Sequence, residues 1–155
     1  MSLSTGYLTA TQKLIWDLKS TGLAEASVAR KLKVTRQTIH KALDIANNKV
    51  LESLEETARI NKIKIQTVNS ATGVLVGYSA HFKTQALITF SAKNGIQTWY
   101  RHEGDCKNCE QHQTCKQALI SEATDRNISL PENIDSILPS EFAKTLFSKI
   151  TGEQE

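Results

Sequence analysis

Along residues 11–20, TQKLIWDLKS, the apolar residues Leu14, Ile15 and Leu18 fall at the three- and four-residue spacings of one helical face, with Thr9 or Thr11 available as the N-cap. Gly22 stops this helix. Residues 24–32 repeat the pattern with Val28, Ala29 and Leu32 inward, and Lys33-Val34 forms a short link to Thr35, whose hydroxyl can cap a third helix. Ile39, Leu43 and Ala46 are its predicted buried stripe. Nothing breaks the helical pattern between Ile39 and Ile60, so the third helix continues into, or is closely followed by, a fourth carrying Val50, Leu51, Leu54 and Ala58. That last segment reads as a connector or dimer helix.

The periodicity changes near residue 62. KIKIQTV alternates and is β-branched, which predicts a strand. Gly73 and Gly77 bracket another apolar run, VLV. The segments QALITFSA and IQTWYRH flank Lys93-Asn94-Gly95, an Asn-Gly signal for a tight hairpin. Period-two alternation places Trp99 and Tyr100 on opposite sides of their strand. With Phe82 and Phe90 they are candidates either for a small-molecule pocket or simply for the core. Residues 113–127 predict a helix, Leu130-Pro131 a break, and Ser140-Glu141-Phe142 the start of a last short helix through Ile150.

The expected fold class is α+β: an N-terminal all-α helix-turn-helix domain followed by a small α+β domain with a β-hairpin and a Cys-rich knuckle. The expected boundaries are 1–60 for the helical domain with its connector helix and 61–155 for a sensory, metal-binding or oligomerisation domain, and the helical half reads as self-contained. The net charge of the 155-residue chain is only +3, too little to imply nucleic acid by its sum. Its distribution says more. Residues 13–49 hold Lys13, Lys19, Arg30, Lys31, Lys33, Arg36, Lys41 and Lys49 against Asp17, Glu25 and Asp44, while the remainder is slightly acidic. No long apolar run and no basic-then-apolar leader pattern in MSLSTGYLTATQ suggest a membrane or secretory route, so a cytoplasmic protein is expected.

The basic segment carries a specific pattern. "L-T-x-x-Q" stands at Leu8, Thr9 and Gln12, the turn at Gly22-Leu23, and "V-A-x-x-L-x-V-T-R-Q-T-I-x-K" runs from Val28 to Lys41, followed by the long helix. Over residues 8–48 this resembles the helix-turn-helix of sigma-factor region 4, LuxR-type and archaeal Tfx-type regulators. The resemblance implies double-stranded DNA as partner and a third helix that enters the major groove. Ala29 allows the second helix to approach the third, Leu32 and Val34 fill the wedge between them, and Ile39 locks the third helix in place. With Thr35 capping, Arg36, Gln37, Thr38, His40 and Lys41 lie on the first turns of the reading helix. Arginine pairs bidentately with guanine, glutamine with adenine, and threonine offers a methyl to thymine or a hydroxyl to phosphate. Lys31 and Lys33 are expected on phosphates. The alternative is a basic amphipathic module that is only a solvated packing or protein-docking unit.

The three cysteines of the chain fall within ten residues, in His102-Glu-Gly-Asp-Cys106-Lys-Asn-Cys109-Glu-Gln-His112-Gln-Thr-Cys115. Cys106-x-x-Cys109 is a spacing at which two thiolates grip one ion, and Cys115 with His112, or else His102, would complete a Cys₃His zinc site. An iron–sulfur cluster is the rival cofactor. The remaining alternative is reduced, partly buried or disulfide-bonded cysteines. Their neighbours Asp105, Lys107, Asn108, Glu110 and Gln113 are polar, unlike the apolar flanks of core cysteines.

The function expected from these features is a sequence-specific DNA-binding transcriptional regulator, a homodimer because many operators are two-fold symmetric. Its C-terminal domain would sense a metal or redox state. One alternative is a metal-dependent nucleic-acid-modifying enzyme using the cysteines with His81, His102 or His112. The sequence has no HExxH, no HxE with PCxxC, no GxxxxGK[ST] and no GxSxG, so no catalytic residues are assigned and a non-enzyme is expected. The other alternative is a protein–protein adaptor.

Overall fold

Thr9 opens the first helix through a reciprocal capping box. Its hydroxyl accepts from the Gln12 amide at 3.2 Å, and its own amide donates to Gln12 Oε1 at 3.1 Å, which settles Thr9 over Thr11 as the cap. The structure is a computed structural model and describes residues 6–153. Helix α1 (Ala10–Ser20) leads to α2 (Glu25–Leu32) and α3 (Arg36–Ile60). Thr35 caps α3, accepting from the Thr38 amide at 3.2 Å. This helix runs unbroken for 25 residues, about 37 Å at 1.5 Å per residue, so the expected third and fourth helices are one.

The buried stripe of α3 is Ile39, Leu43, Ala46, Val50, Leu54 and Ala58, and it serves two clusters in succession. Ile39 and Leu43 pack with Ile15, Val28 and Ala29 of α1 and α2. Further along, Ala46, Val50, Leu54 and Ala58 pack with Ile63, Leu75, Ala86, Ile88 and Phe90 of the sheet. One expectation for α1 needs correcting: Leu14 is 47% exposed, and Trp16 is buried instead. The indole has a reason to turn inward. Its Nε1–H donates to the Ser70 carbonyl at 3.1 Å, and its ring meets Phe90 edge-on at 4.8 Å, so apolar body and polar tip are both satisfied.

Strands β1 (Ile63–Asn69), β2 (Val74–Ser79), β3 (Thr84–Ser91) and β4 (Gly95–Tyr100) form one antiparallel sheet in the order β1-β2-β3-β4. A bulge interrupts β1 between Ile65 and Thr67. Gly77 stands where β1 approaches closely, because a Cβ there would lie 2.6 Å from the Lys64 carbonyl oxygen. The Asn-Gly signal does mark a hairpin, but not a two-residue one. Ser91 pairs with Gly95, leaving Ala92, Lys93 and Asn94 as the loop, and Gly95 takes φ +66°. A three-residue loop closed by a left-handed glycine keeps the strand twist as a tighter turn would.

Trp99 and Tyr100 do face opposite ways. Tyr100 packs on the cluster shared with α3, whereas Trp99 Nε1–H donates to Thr89 Oγ1 at 2.9 Å on the other face.

Two compact units divide the chain, Met1–Tyr100 and Arg101–Glu155. The change of periodicity near residue 60 is the α3–β1 junction, and the packing across it is continuous. In the second unit, α4 (His112–Asp125) and α5 (Pro139–Thr151) pack against each other, with Leu119, Ala123, Phe142 and Leu146 buried. The architecture is therefore mixed α and β, and among the described residues no helix is long and apolar enough to cross a membrane.

Candidate nucleic-acid interface and the cysteine segment

The link between α2 and α3 fixes how the two helices present their surfaces. Lys33 adopts φ 55°, and the Val34 amide donates to the Ala29 carbonyl at 3.1 Å, the 6→1 bond of a Schellman-type helix end. Thr35 then starts α3 at once. Its hydroxyl is engaged twice, by the Thr38 amide and, at 2.8 Å, by the Thr38 hydroxyl, so Thr35 and Thr38 have structural work besides any contact they make outward.

All eight residues expected to touch DNA, Lys31, Lys33, Thr35, Arg36, Gln37, Thr38, His40 and Lys41, are exposed, while Ile39 among them is fully buried. One buried residue thus anchors the first turns of α3 and leaves the polar side chains free of the core. Two acidic residues share this surface. Glu25, on the first turn of α2 with a side chain only 23% exposed, lies 3.7 Å from Arg36 Nε and 3.3 Å from His40 Nδ1. Asp44 stands 3.7 Å from His40 Nε2. The sequence reading missed both. Asp44 was legible, being one helical turn beyond His40, whereas Glu25 is brought in only by the packing of α2 on α3.

The cysteine segment has a different character. All three cysteines are free thiols, Cys106 half-buried and Cys109 and Cys115 exposed. The Cys109 carbonyl accepts from the His112 amide at 3.1 Å as α4 begins, and Cys115 lies on the first turns of that helix. His112 Nδ1 is 2.7 Å from the Cys106 carbonyl. A carbonyl can only accept, so Nδ1 carries the hydrogen. Asp105 braces the preceding turn: its carboxylate accepts from the Asn108 side-chain amide at 2.6 Å and the Lys107 backbone amide at 3.0 Å, and these bonds hold its pKa below the ordinary value. The ring of His102 lies against Gly104, where a Cβ would come within 2.5 Å of Nε2.

Among the described residues no group of three or more His, Cys, Asp or Glu side chains is gathered in an arrangement that could hold a metal ion. The four aromatics considered for a pocket are also divided. Phe90 joins Trp16 in the core, Trp99 occupies the far face of the sheet, and Tyr100 meets Phe82 at 4.9 Å.

No protein-family model matches the chain, and neither a curated protein nor a solved structure is significantly similar to it.

Proposed function

We propose that residues 8–48 act as a helix-turn-helix unit and that the protein is a sequence-specific DNA-binding transcriptional regulator, with α3 as the reading helix and duplex DNA as its ligand. The observation that carries this reading is the split character of the first turns of α3. Ile39 is buried to the last atom, while Arg36, Gln37, Thr38, His40 and Lys41 around it are exposed and of the types that read base edges and phosphates. Lys31 and Lys33 at the end of α2 supply phosphate contacts. The ion pair between Arg36 and Glu25 is long, and the arginine side chain is 74% exposed, so Arg36 can turn to a guanine edge. Two copies acting on a two-fold operator complete the proposal. Arg101–Glu155 has no reading role in it, and the metal or redox sensing expected there rests on the sequence alone.

Selection from a randomised duplex library tests the proposal, followed by titration of the selected site and of random duplex. Arg36→Ala is expected to weaken the selected site by about 1–3 kcal/mol and to relax one base position, whereas Lys31→Ala should weaken both duplexes alike and flatten the salt dependence. If the library yields no preferred sequence, the regulator reading fails. Equal losses on both duplexes for Arg36→Ala would remove Arg36 as a base reader.

A further inference from the structure

We propose a second nucleic-acid site at the other end of α3: the end of the sheet that carries Lys62, Phe82 and Lys83 binds single-stranded nucleic acid, with Phe82 stacking on a base. Strand register assembles the site. Ile63 pairs with Ser79 and Ser79 with Thr84, so Lys62 and the turn of residues 80–83 share one end of the meander; Tyr100, opposite Ala86, ends β4 there too.

Phe82 is 59% exposed, yet it is held in place. Its amide donates to Ser79 Oγ at 3.2 Å, and its ring meets His81 at 4.7 Å and Tyr100 at 4.9 Å. Both contacts are steeply inclined, at 74° and 63°, so neither neighbour occupies the stacked position over the ring. A fixed aromatic ring presented to solvent is what sequence-tolerant base stacking requires.

The lysines provide an independent observation. At the opposite end of the sheet, the positive-φ positions of the two turns are glycines, Gly73 and Gly95, both at φ +66°. At this end they are Lys62 at φ 54° and Lys83 at φ 55°, in a region that side chains with a Cβ rarely adopt. The chain thus carries cations where glycine would be the easier residue, and it does so twice at the end of the sheet that holds Phe82. Lys64 adds a third exposed cation on β1. None of the three is in an ion pair among the described residues, whereas the nearby Arg59 of α3 is paired with Glu56. Unpaired cations beside a fixed ring suit the phosphates and bases of one strand. An acidic peptide would need the charge and not the ring.

The test uses the full chain and a fluorescently labelled twelve-nucleotide oligo(dT), followed by anisotropy at low salt. Wild-type protein is expected to bind. Phe82→Ala should weaken binding about tenfold, and Phe82→Trp should keep or improve it, as base–aromatic stacking demands. Lys62→Gly and Lys83→Gly should also weaken binding and flatten its salt dependence, with a melting temperature equal to or above that of the wild type, because glycine accepts the left-handed backbone. Phe82→Ala should leave titration of the library-selected duplex unchanged, so this proposal and the duplex-reading one can fail separately. Absence of wild-type binding overturns the inference. So does wild-type affinity in Phe82→Ala, or displacement of oligo(dT) by poly-glutamate as readily as by unlabelled oligo(dT), which would mark the surface as one for acidic proteins.

Discussion

A chain ended after Ile60 is expected to lose its cooperative fold, while one ended after Tyr100 keeps it. The cut at residue 60 spares the cluster of Ile15, Val28, Ala29, Ile39 and Leu43 but removes Ile63, Leu75, Ala86, Ile88 and Phe90. Those sheet residues cover Val50 and Leu54, each at 0% exposure, and Trp16, at 3%. At about 1.5–3 kcal/mol for each large apolar side chain returned to water, exposing these three costs roughly 5–9 kcal/mol. That is comparable to the whole stability of a small domain, about 5–15 kcal/mol. The Trp16 Nε1–H also loses the Ser70 carbonyl. Helix α3 would keep its N-cap and its first two turns of packing, but isolated helical segments of this kind are marginal in water. Far-UV circular dichroism against temperature decides the matter. The shorter fragment should show little helix and no sharp transition, and the longer one a sharp transition. A cooperative melt in the 60-residue fragment would mean that the helical part is independent of the sheet.

This expectation departs from the self-contained helical half that the sequence suggested, and the reason lies in Trp16 and the second half of α3. Helical periodicity identified Val50, Leu54 and Ala58 as one apolar face, but a face alone does not name the surface that covers it; a partner copy and the chain's own sheet leave the same pattern. Trp16 was harder still. Leu14, Ile15 and Leu18 make an adequate stripe without it, and only a carbonyl fifty-four residues away shows why the indole turns in. Local chemistry was far more legible. Thr35 as a cap, the Gly22 stop, the strand at KIKIQTV and the opposite facing of Trp99 and Tyr100 all depend on neighbours along the chain. The metal expected at the cysteine segment rests on spacing alone. Five ligand-type residues in fourteen positions give proximity in sequence, while convergence depends on which way each side chain leaves a turn or helix. Glu25 makes the complementary point: its partners Arg36 and His40 lie eleven and fifteen positions away, so no local pattern marks it.

Arg126→Ala is expected to destabilise the second compact unit by about 3–5 kcal/mol, the cost of leaving a buried charge without its counter-ion. Glu122 is fully buried on α4, and its Oε1 accepts from Arg126 Nε at 2.7 Å, the arginine side chain itself being only 14% exposed. By its spacing of four residues the pair looks like an ordinary surface bridge, worth a few tenths of a kcal/mol. Burial changes its standing. In a low-dielectric setting the carboxylate has lost its water, and its other oxygen, Oε2, has no hydrogen-bond partner among the described residues. The one strong contact to Arg126 therefore compensates most of the desolvation. Removing the guanidinium strands the charge, whereas removing both ends does not. Glu122→Met combined with Arg126→Met should accordingly recover most of the loss, because apolar residues of similar volume often replace a buried pair at little cost. Urea unfolding of the single and double variants, read by hydrogen exchange of the α4 and α5 amides, separates the effects. The cycle of Glu122→Met, Arg126→Met and the double variant should give a large coupling energy, and exchange should accelerate across α4 in Arg126→Ala with the sheet of the first unit unaffected. A loss of less than about 1 kcal/mol for Arg126→Ala would show that Glu122 is satisfied by something other than this arginine.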